Sequence, residues 1–191
     1  MIDILQSVEI ESTTENAAEK YEKYIGDNVF IVNYEGERQD VDAQAAFNID
    51  LAKEVRKPLE DRQYPVYECH LDNGEIKFIL PVRGKGLWGP IWGYIALNDN
   101  KNTIYGATFD HKGETPGLGA EIANDSFQQQ FKGKSIFDED GNLVSIAVKK
   151  GGVPEDAPHG VDAVSGGTIT SQGLEDMLED YLNGYNAFLK K

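Results

Sequence analysis

Tyr64-Pro65-Val66-Tyr67-Glu68-Cys69-His70-Leu71-Asp72-Asn73-Gly74-Glu75-Ile76-Lys77-Phe78-Ile79-Leu80-Pro81-Val82 reads as two β-rich runs, 64–71 and 75–82, around an Asn-Gly turn. Asn-Gly accepts the positive φ angles of a tight hairpin, so the spacing predicts antiparallel strands here. A second pair, 91–97 and 103–109, is joined through Asp99-Asn100, and a third is expected around Asp140-Gly141-Asn142, ending at Lys149-Lys150. Upstream, Ser12-x-x-Glu15 has the pattern of a capping box opening a short helix with Ala17, Ala18, Tyr21, Tyr24 and Ile25 on one side. Gly26 ends it and Val29–Val32 reads as a strand. A second helix fits 41–57, with Phe47, Leu51 and Val55 on one stripe and Pro58 as its stop.

The last helix has the strongest period. From Ser171, a candidate N-cap, the residues Leu174, Met177, Leu178, Tyr181, Leu182, Tyr185, Phe188 and Leu189 recur at 3.6-residue spacing. Strand pairs mixed with helices, without βαβ alternation, define an α+β fold: antiparallel sheets with flanking helices and a C-terminal amphipathic helix. Residues 1–74 form an N-terminal lobe packing on the same core as 75–191 in this reading.

Composition removes several function classes. A chain of 191 residues with formal net charge −15 has no basic surface for nucleic-acid phosphates. Cys69 stands alone, which excludes an intrachain disulfide and four-cysteine metal sites. His70, His111 and His159 lack metal-ligand spacing. No segment approaches the ~20 apolar residues of a membrane span, and the start Met1-Ile2-Asp3-Ile4-Leu5 is not a signal peptide. Either the protein is soluble throughout or an anchor is absent from this piece.

Three glycine-rich stretches could carry chemistry. In 161–171, Val-Asp-Ala-Val-Ser-Gly-Gly-Thr-Ile-Thr-Ser, two glycines and a hydroxyl precede the long helix, whose first N–H groups are unpaired and whose dipole favours a phosphate. Thr168 has no neighbouring base, so it is a poor activated nucleophile. In 81–94, four glycines stand among Trp88, Trp92 and Tyr94, where backbone could approach a flat ligand. In 111–121, Pro116-Gly117 and Gly119 form a loop able to present amides to the polar edge of a ring. On spacing alone each also reads as ordinary structure: a turn and cap, a bulged strand with core tryptophans, and a strand-to-helix turn.

Together these stretches resemble the FMN-binding domain family, in its branch of C subunits of sodium-translocating NADH:quinone oxidoreductases. Gly86-Leu87-Trp88 leading to Gly93-Tyr94, then Gly113-Glu114-Thr115-Pro116-Gly117-Leu118-Gly119, then Lys150-Gly151-Gly152, stand in the family's order. Asp162-x-x-Ser165-Gly166-x-Thr168 resembles its flavinylation motif. The family usually has Ala where this chain has Gly167.

The resemblance implies an FMN-binding domain fold with FMN covalently linked through its phosphate to Thr168, Thr170 being the alternative acceptor. A separate magnesium-dependent flavin transferase using FAD would make the bond, which accounts for the missing base. It further implies a cofactor site of Asp162, Ser165, Gly166, Gly167, Glu114, Thr115, Gly117, Leu118, Gly119 and Trp88, with Lys150 near the pyrimidine side of the ring. The implied protein is an electron carrier from NADH towards quinone, coupled to sodium export and not oxidising NADH alone. Its partners would be the other subunits of that complex. Its place would be the outer, periplasmic face of a bacterial inner membrane, held by one N-terminal helix missing here. Rival readings are the G subunit of the related ferredoxin:NAD oxidoreductase (Rnf) complex and a non-redox binding domain.

Overall fold

A computed structural model describes residues 1–154 and 156–191 of the chain. In chain order the elements are α1 (Ile2–Ser7), α2 (Ala17–Tyr24), β1 (Val29–Val32), α3 (Ala43–Phe47), α4 (Leu51–Glu54), β2 (Tyr64–His70), β3 (Ile76–Lys85), β4 (Pro90–Leu97), β5 (Ile104–His111), α5 (Asp125–Gln128), β6 (Ala147–Lys149), β7 (Gly160–Asp162) and α6 (Thr168–Leu189). The first five strands form one antiparallel meander in the order β1-β2-β3-β4-β5. The α+β class and the C-terminal helix are therefore as expected.

Alternation along the strands divides the core. Tyr64, Val66, Leu80, Val82, Ile91 and Ile95 face the buried stripe of α6, whereas Tyr67, Cys69, Ile79 and Ala96 face α1, α2 and α3. A one-residue slip of any strand would exchange these faces, so the two cores fix the register. Each fully buried aliphatic side chain on the α6 stripe, such as Leu174, Leu178 and Leu182, contributes about 1.5–3 kcal/mol.

Local signals differ from the sequence reading in four places. The Ser12–Glu15 capping box does not form: Asn16 turns back so that its Oδ1 accepts from Thr13 N at 2.8 Å, and α2 starts at Ala17. The helix expected over 41–57 is split, because Asp42 caps Ala45 N and Asp50 caps Ala52 N, starting two short helices instead of one. Around Asp140-Gly141-Asn142 there is only a Phe137–Leu143 bridge, since the Asp138 carboxylate holds the turn through the amides of Asp140 and Asn142. The extra strand β7 pairs with β6 in parallel; strands of three residues are too short to show a period.

The close seating of α6 depends on Gly173. A Cβ there would fall on the carbonyl oxygen of Lys85, well inside van der Waals contact, with Gly86 Cα only 3.5 Å away. In an exposed helix interior Gly→Ala stabilises by up to about 1 kcal/mol. Here the sign should reverse: Gly173→Ala is expected to cost about 1–3 kcal/mol as the helix lifts from the end of β3. Urea unfolding would check it, and an unchanged or raised midpoint would contradict the packing argument.

Candidate functional site

Three loops meet at one end of the sheet: the β3–β4 turn at 86–89, the loop after β5 at 112–118, and the turn 163–167 into α6. Between them lies a cleft of about 200 Å³ lined by Leu87, Glu114, Thr115, Leu118, Gly119, Gly166, Gly167, Thr168, Ile169 and Thr170. Of the residues expected from sequence, Thr168, Gly166, Gly167, Glu114, Thr115, Leu118 and Gly119 line it.

The others surround it or stand apart. Ser165 and Gly117 are exposed neighbours of the lining, and Trp88, 68% exposed, stands next to Leu87. Asp162 does not reach the cleft: its Oδ1 accepts from Val153 N at 2.5 Å and so pins the loop that carries Lys150. Lys150 follows the end of β6 and is exposed. Leu87 and Ile169 enter the lining in addition; the signal for Ile169 is an isoleucine off the buried stripe of α6, 59% exposed.

Thr168 is the first residue of α6, so the helix begins three residues before Ser171. Ser171 is buried and its Oγ accepts from Val164 N at 3.1 Å, closing the turn from inside. No side chain caps α6, and its N-cap position is Gly167. Its first amides are left without intrahelical acceptors, and the positive end of the dipole of a 22-residue helix opens beside the Thr168 side chain. The two candidate hydroxyls differ sharply. Thr168 is exposed and, among the described residues, has no hydrogen-bond partner for its hydroxyl. Thr170 is 1% exposed and donates its hydroxyl to Glu114 Oε2.

Glu114 ties the three loops together. It is 4% exposed; its Oε1 accepts from Trp88 N at 2.8 Å and its Oε2 from Thr170 Oγ1, while its own amide donates to His111 Nδ1 at 3.1 Å. Burial raises the pKa of its carboxyl, but donation from Thr170 and from the Trp88 and Leu87 amides, with His111 nearby, outweighs this and holds it below the ordinary glutamate value. Gly119 packs directly on this carboxylate: a Cβ would stand 2.6 Å from Oε2. A Cβ at Gly166, whose φ is +73°, would stand 2.5 Å from Leu118 Cδ2 and close the cleft at its middle.

Exposed apolar walls (Leu87, Trp88, Leu118, Ile169), a glycine floor, an uncapped helix end and a free hydroxyl fit a planar, phosphate-bearing group better than a metal. No cluster of His, Cys, Asp or Glu able to hold a metal ion occurs among the described residues.

The chain belongs to the FMN-binding domain family, whose sequence profile matches residues 86–183. It is similar to the C subunits of Na(+)-translocating NADH-quinone reductases: 44% identical over 117 residues to that of Vibrio vulnificus (strain YJ016), covering 60% of this chain and 46% of the relative. It is 43% identical over 129 residues to that of Neisseria meningitidis serogroup B (strain MC58), covering 66% and 49%. The chain thus spans about half the length of the curated relatives it matches. The crystal structure of the Na(+)-translocating NADH-quinone reductase C subunit from Parabacteroides distasonis ATCC 8503 aligns with a TM-score of 0.88 at 44% identity, over 100% of this chain and 90% of that one. That of Shewanella oneidensis NqrC aligns at 0.81 and 26% identity, over 98% and 93%. No helix among the described residues is long and apolar enough to cross a membrane.

Proposed function

We propose that the chain is the flavin-carrying part of a C subunit of a sodium-translocating NADH:quinone oxidoreductase, with FMN joined to Thr168 by a phosphoester. The observation that carries this reading is the exposed, unengaged Thr168 hydroxyl at the uncapped start of α6, facing a cleft walled by Leu87 and Leu118. A flavin transferase would bring FAD and magnesium. Thr168 would supply the oxygen for the bond to the FMN phosphorus, with AMP as the leaving group and the hydroxyl proton going to a base of the transferase. A base of the chain's own is then unnecessary.

Once attached, FMN supplies redox chemistry by taking up and giving back electrons. The chain's residues keep it in place and accessible. The Thr168 tether makes its encounter with the cleft intramolecular, so it is retained between electron transfers. The α6 amides stabilise the phosphate charge. Leu87, Trp88 and Leu118 offer apolar and aromatic contact to a ring. Asp162, through Val153 N, holds the Gly151–Gly152 turn that presents Lys150, whose ammonium favours negative charge on the reduced ring. Lys150→Ala is expected to lower the flavin midpoint potential, on the order of tens of millivolts at low salt. A spectroelectrochemical titration would check this, and an unmoved potential would remove Lys150 from the site.

In this reading the remaining subunits of the complex are the partners. The domain sits on the periplasmic face of a bacterial inner membrane, tethered by a helix outside this chain, and passes electrons without oxidising NADH itself. The test is coexpression with a flavin transferase, followed by intact-mass measurement. A gain of one FMN, visible as fluorescence of the denatured band, supports the carrier; an unchanged mass would leave only a binding domain.

A further inference from the structure

We propose that a cationic groove beside the Leu87–Trp88 turn docks an acidic polypeptide segment of a neighbouring subunit. Although 33 of the 191 residues are Asp or Glu, none occurs in residues 76–98, which carry Lys77, Arg83 and Lys85. Arg83 on β3 and Trp92 on β4 are register partners, with the guanidinium carbon 5.9 Å from the centre of the indole ring. With Pro90 and Tyr94 they line a groove of about 500 Å³; Lys112 stands on its rim and residues 49–52 form the far wall.

Among the described residues, Arg83, Lys85 and Lys112 have no carboxylate in ion-pair range and no side-chain hydrogen bond. Three acids stand nearby: Asp3 beside Tyr94, Asp50 and Asp110. Asp50 accepts from Ala52 N at 3.0 Å and pairs with Lys53 at 3.6 Å. Asp110, the register partner of Trp92 on β5, accepts from His111 N at 2.7 Å. In a chain of net charge −15 these three unpaired cations are a local exception, and an anionic partner meets attraction at them against a generally repulsive surface. Trp, Tyr and Arg around a half-buried apolar floor are the side chains that dominate binding at interface centres. The groove is open along its length, and its cations lie on two separate strands' ends. That arrangement suits an extended acidic segment rather than one enclosed small anion.

The inference rests on the proposed function only in making the partner a neighbouring subunit. The groove lies outside the flavin cleft and its test uses the flavin-free chain, so failure of one leaves the other standing. A fluorescein-labelled deca-glutamate peptide would be titrated into the full chain and followed by anisotropy. Saturable binding is expected, weakening about tenfold or more between ~20 and ~200 mM salt. It should weaken about tenfold in Arg83→Glu and in Lys112→Glu, and stay within about twofold in Lys149→Glu, which changes net charge equally on β6. Circular dichroism melts would confirm folding, with Arg83→Gln as the milder variant giving an intermediate loss. Absence of binding at low salt, equal loss in Lys149→Glu, or displacement of the peptide by isophthalate at comparable affinity would overturn the proposal. So would a salt-labile dimer abolished by Arg83→Glu, which would make a second copy the occupant.

Discussion

A Thr168→Ala chain coexpressed with a flavin transferase is expected to emerge at its unmodified mass, with no fluorescent band, while the parent chain carries one FMN. The effect should be all or none, because a phosphoester needs a side-chain oxygen. Thr168→Ser, which keeps an oxygen, should restore part of the modification. The informative contrast is Thr170→Ala. That hydroxyl is buried and committed to Glu114, so its loss should leave the flavin on Thr168 while lowering stability. If Thr170→Ala instead abolished attachment with the fold intact, the assignment of the acceptor would be wrong.

The second large effect concerns Glu114. Glu114→Ala leaves the Trp88 amide and the Thr170 hydroxyl without their acceptor and opens space between three loops. Hydrogen bonds to a buried charged group are worth about 1.5–3 kcal/mol each, and orphaned buried donors add to the cost. A loss of about 3–6 kcal/mol is therefore expected. For a domain of this size that lowers Tm by roughly 6–24 °C. Glu114→Gln preserves shape and one acceptor, and should lose much less.

The same carboxylate makes a pH prediction. A group whose folded pKa lies below its unfolded value stabilises the fold above the unfolded pKa, ~4.3 for glutamate, and that contribution fades as pH falls through the folded value. The parent chain should thus lose stability below about pH 4 more steeply than Glu114→Gln. Parallel acid-unfolding curves for the two chains would contradict the ionised clamp.

Much of the architecture can be read from local pattern, and the failures have local causes. The Asn73-Gly74 and Asp99-Asn100 turns between β-rich runs declare the pairing within 64–82 and 91–109, and α6 repeats its apolar stripe over most of its 22 residues. The split of 41–57 follows from Asp50, a helix starter placed inside an apolar period, where capping chemistry competes with periodicity. Ser171 looks like an N-cap because it precedes the stripe, yet the chain is already helical from Thr168 and the Ser171 hydroxyl turns inward to Val164 N. The parallel pairing of β6 with β7 joins segments too short to carry any signal.

At the site, sequence by itself determines the residue types: a hydroxyl and two glycines before a long amphipathic helix, and a Glu-Thr-Pro-Gly-Leu-Gly loop after a strand. Those are local properties, set by backbone freedom and side-chain chemistry within a few positions. Only the tertiary structure decides which threonine is open and which is buried, that Glu114 faces inward as a clamp, and that Asp162 holds a neighbouring loop instead of lining the cleft. These depend on hydrogen bonds between residues 9 to 56 positions apart. Such bonds exist only once the sheet and α6 have brought the three loops together.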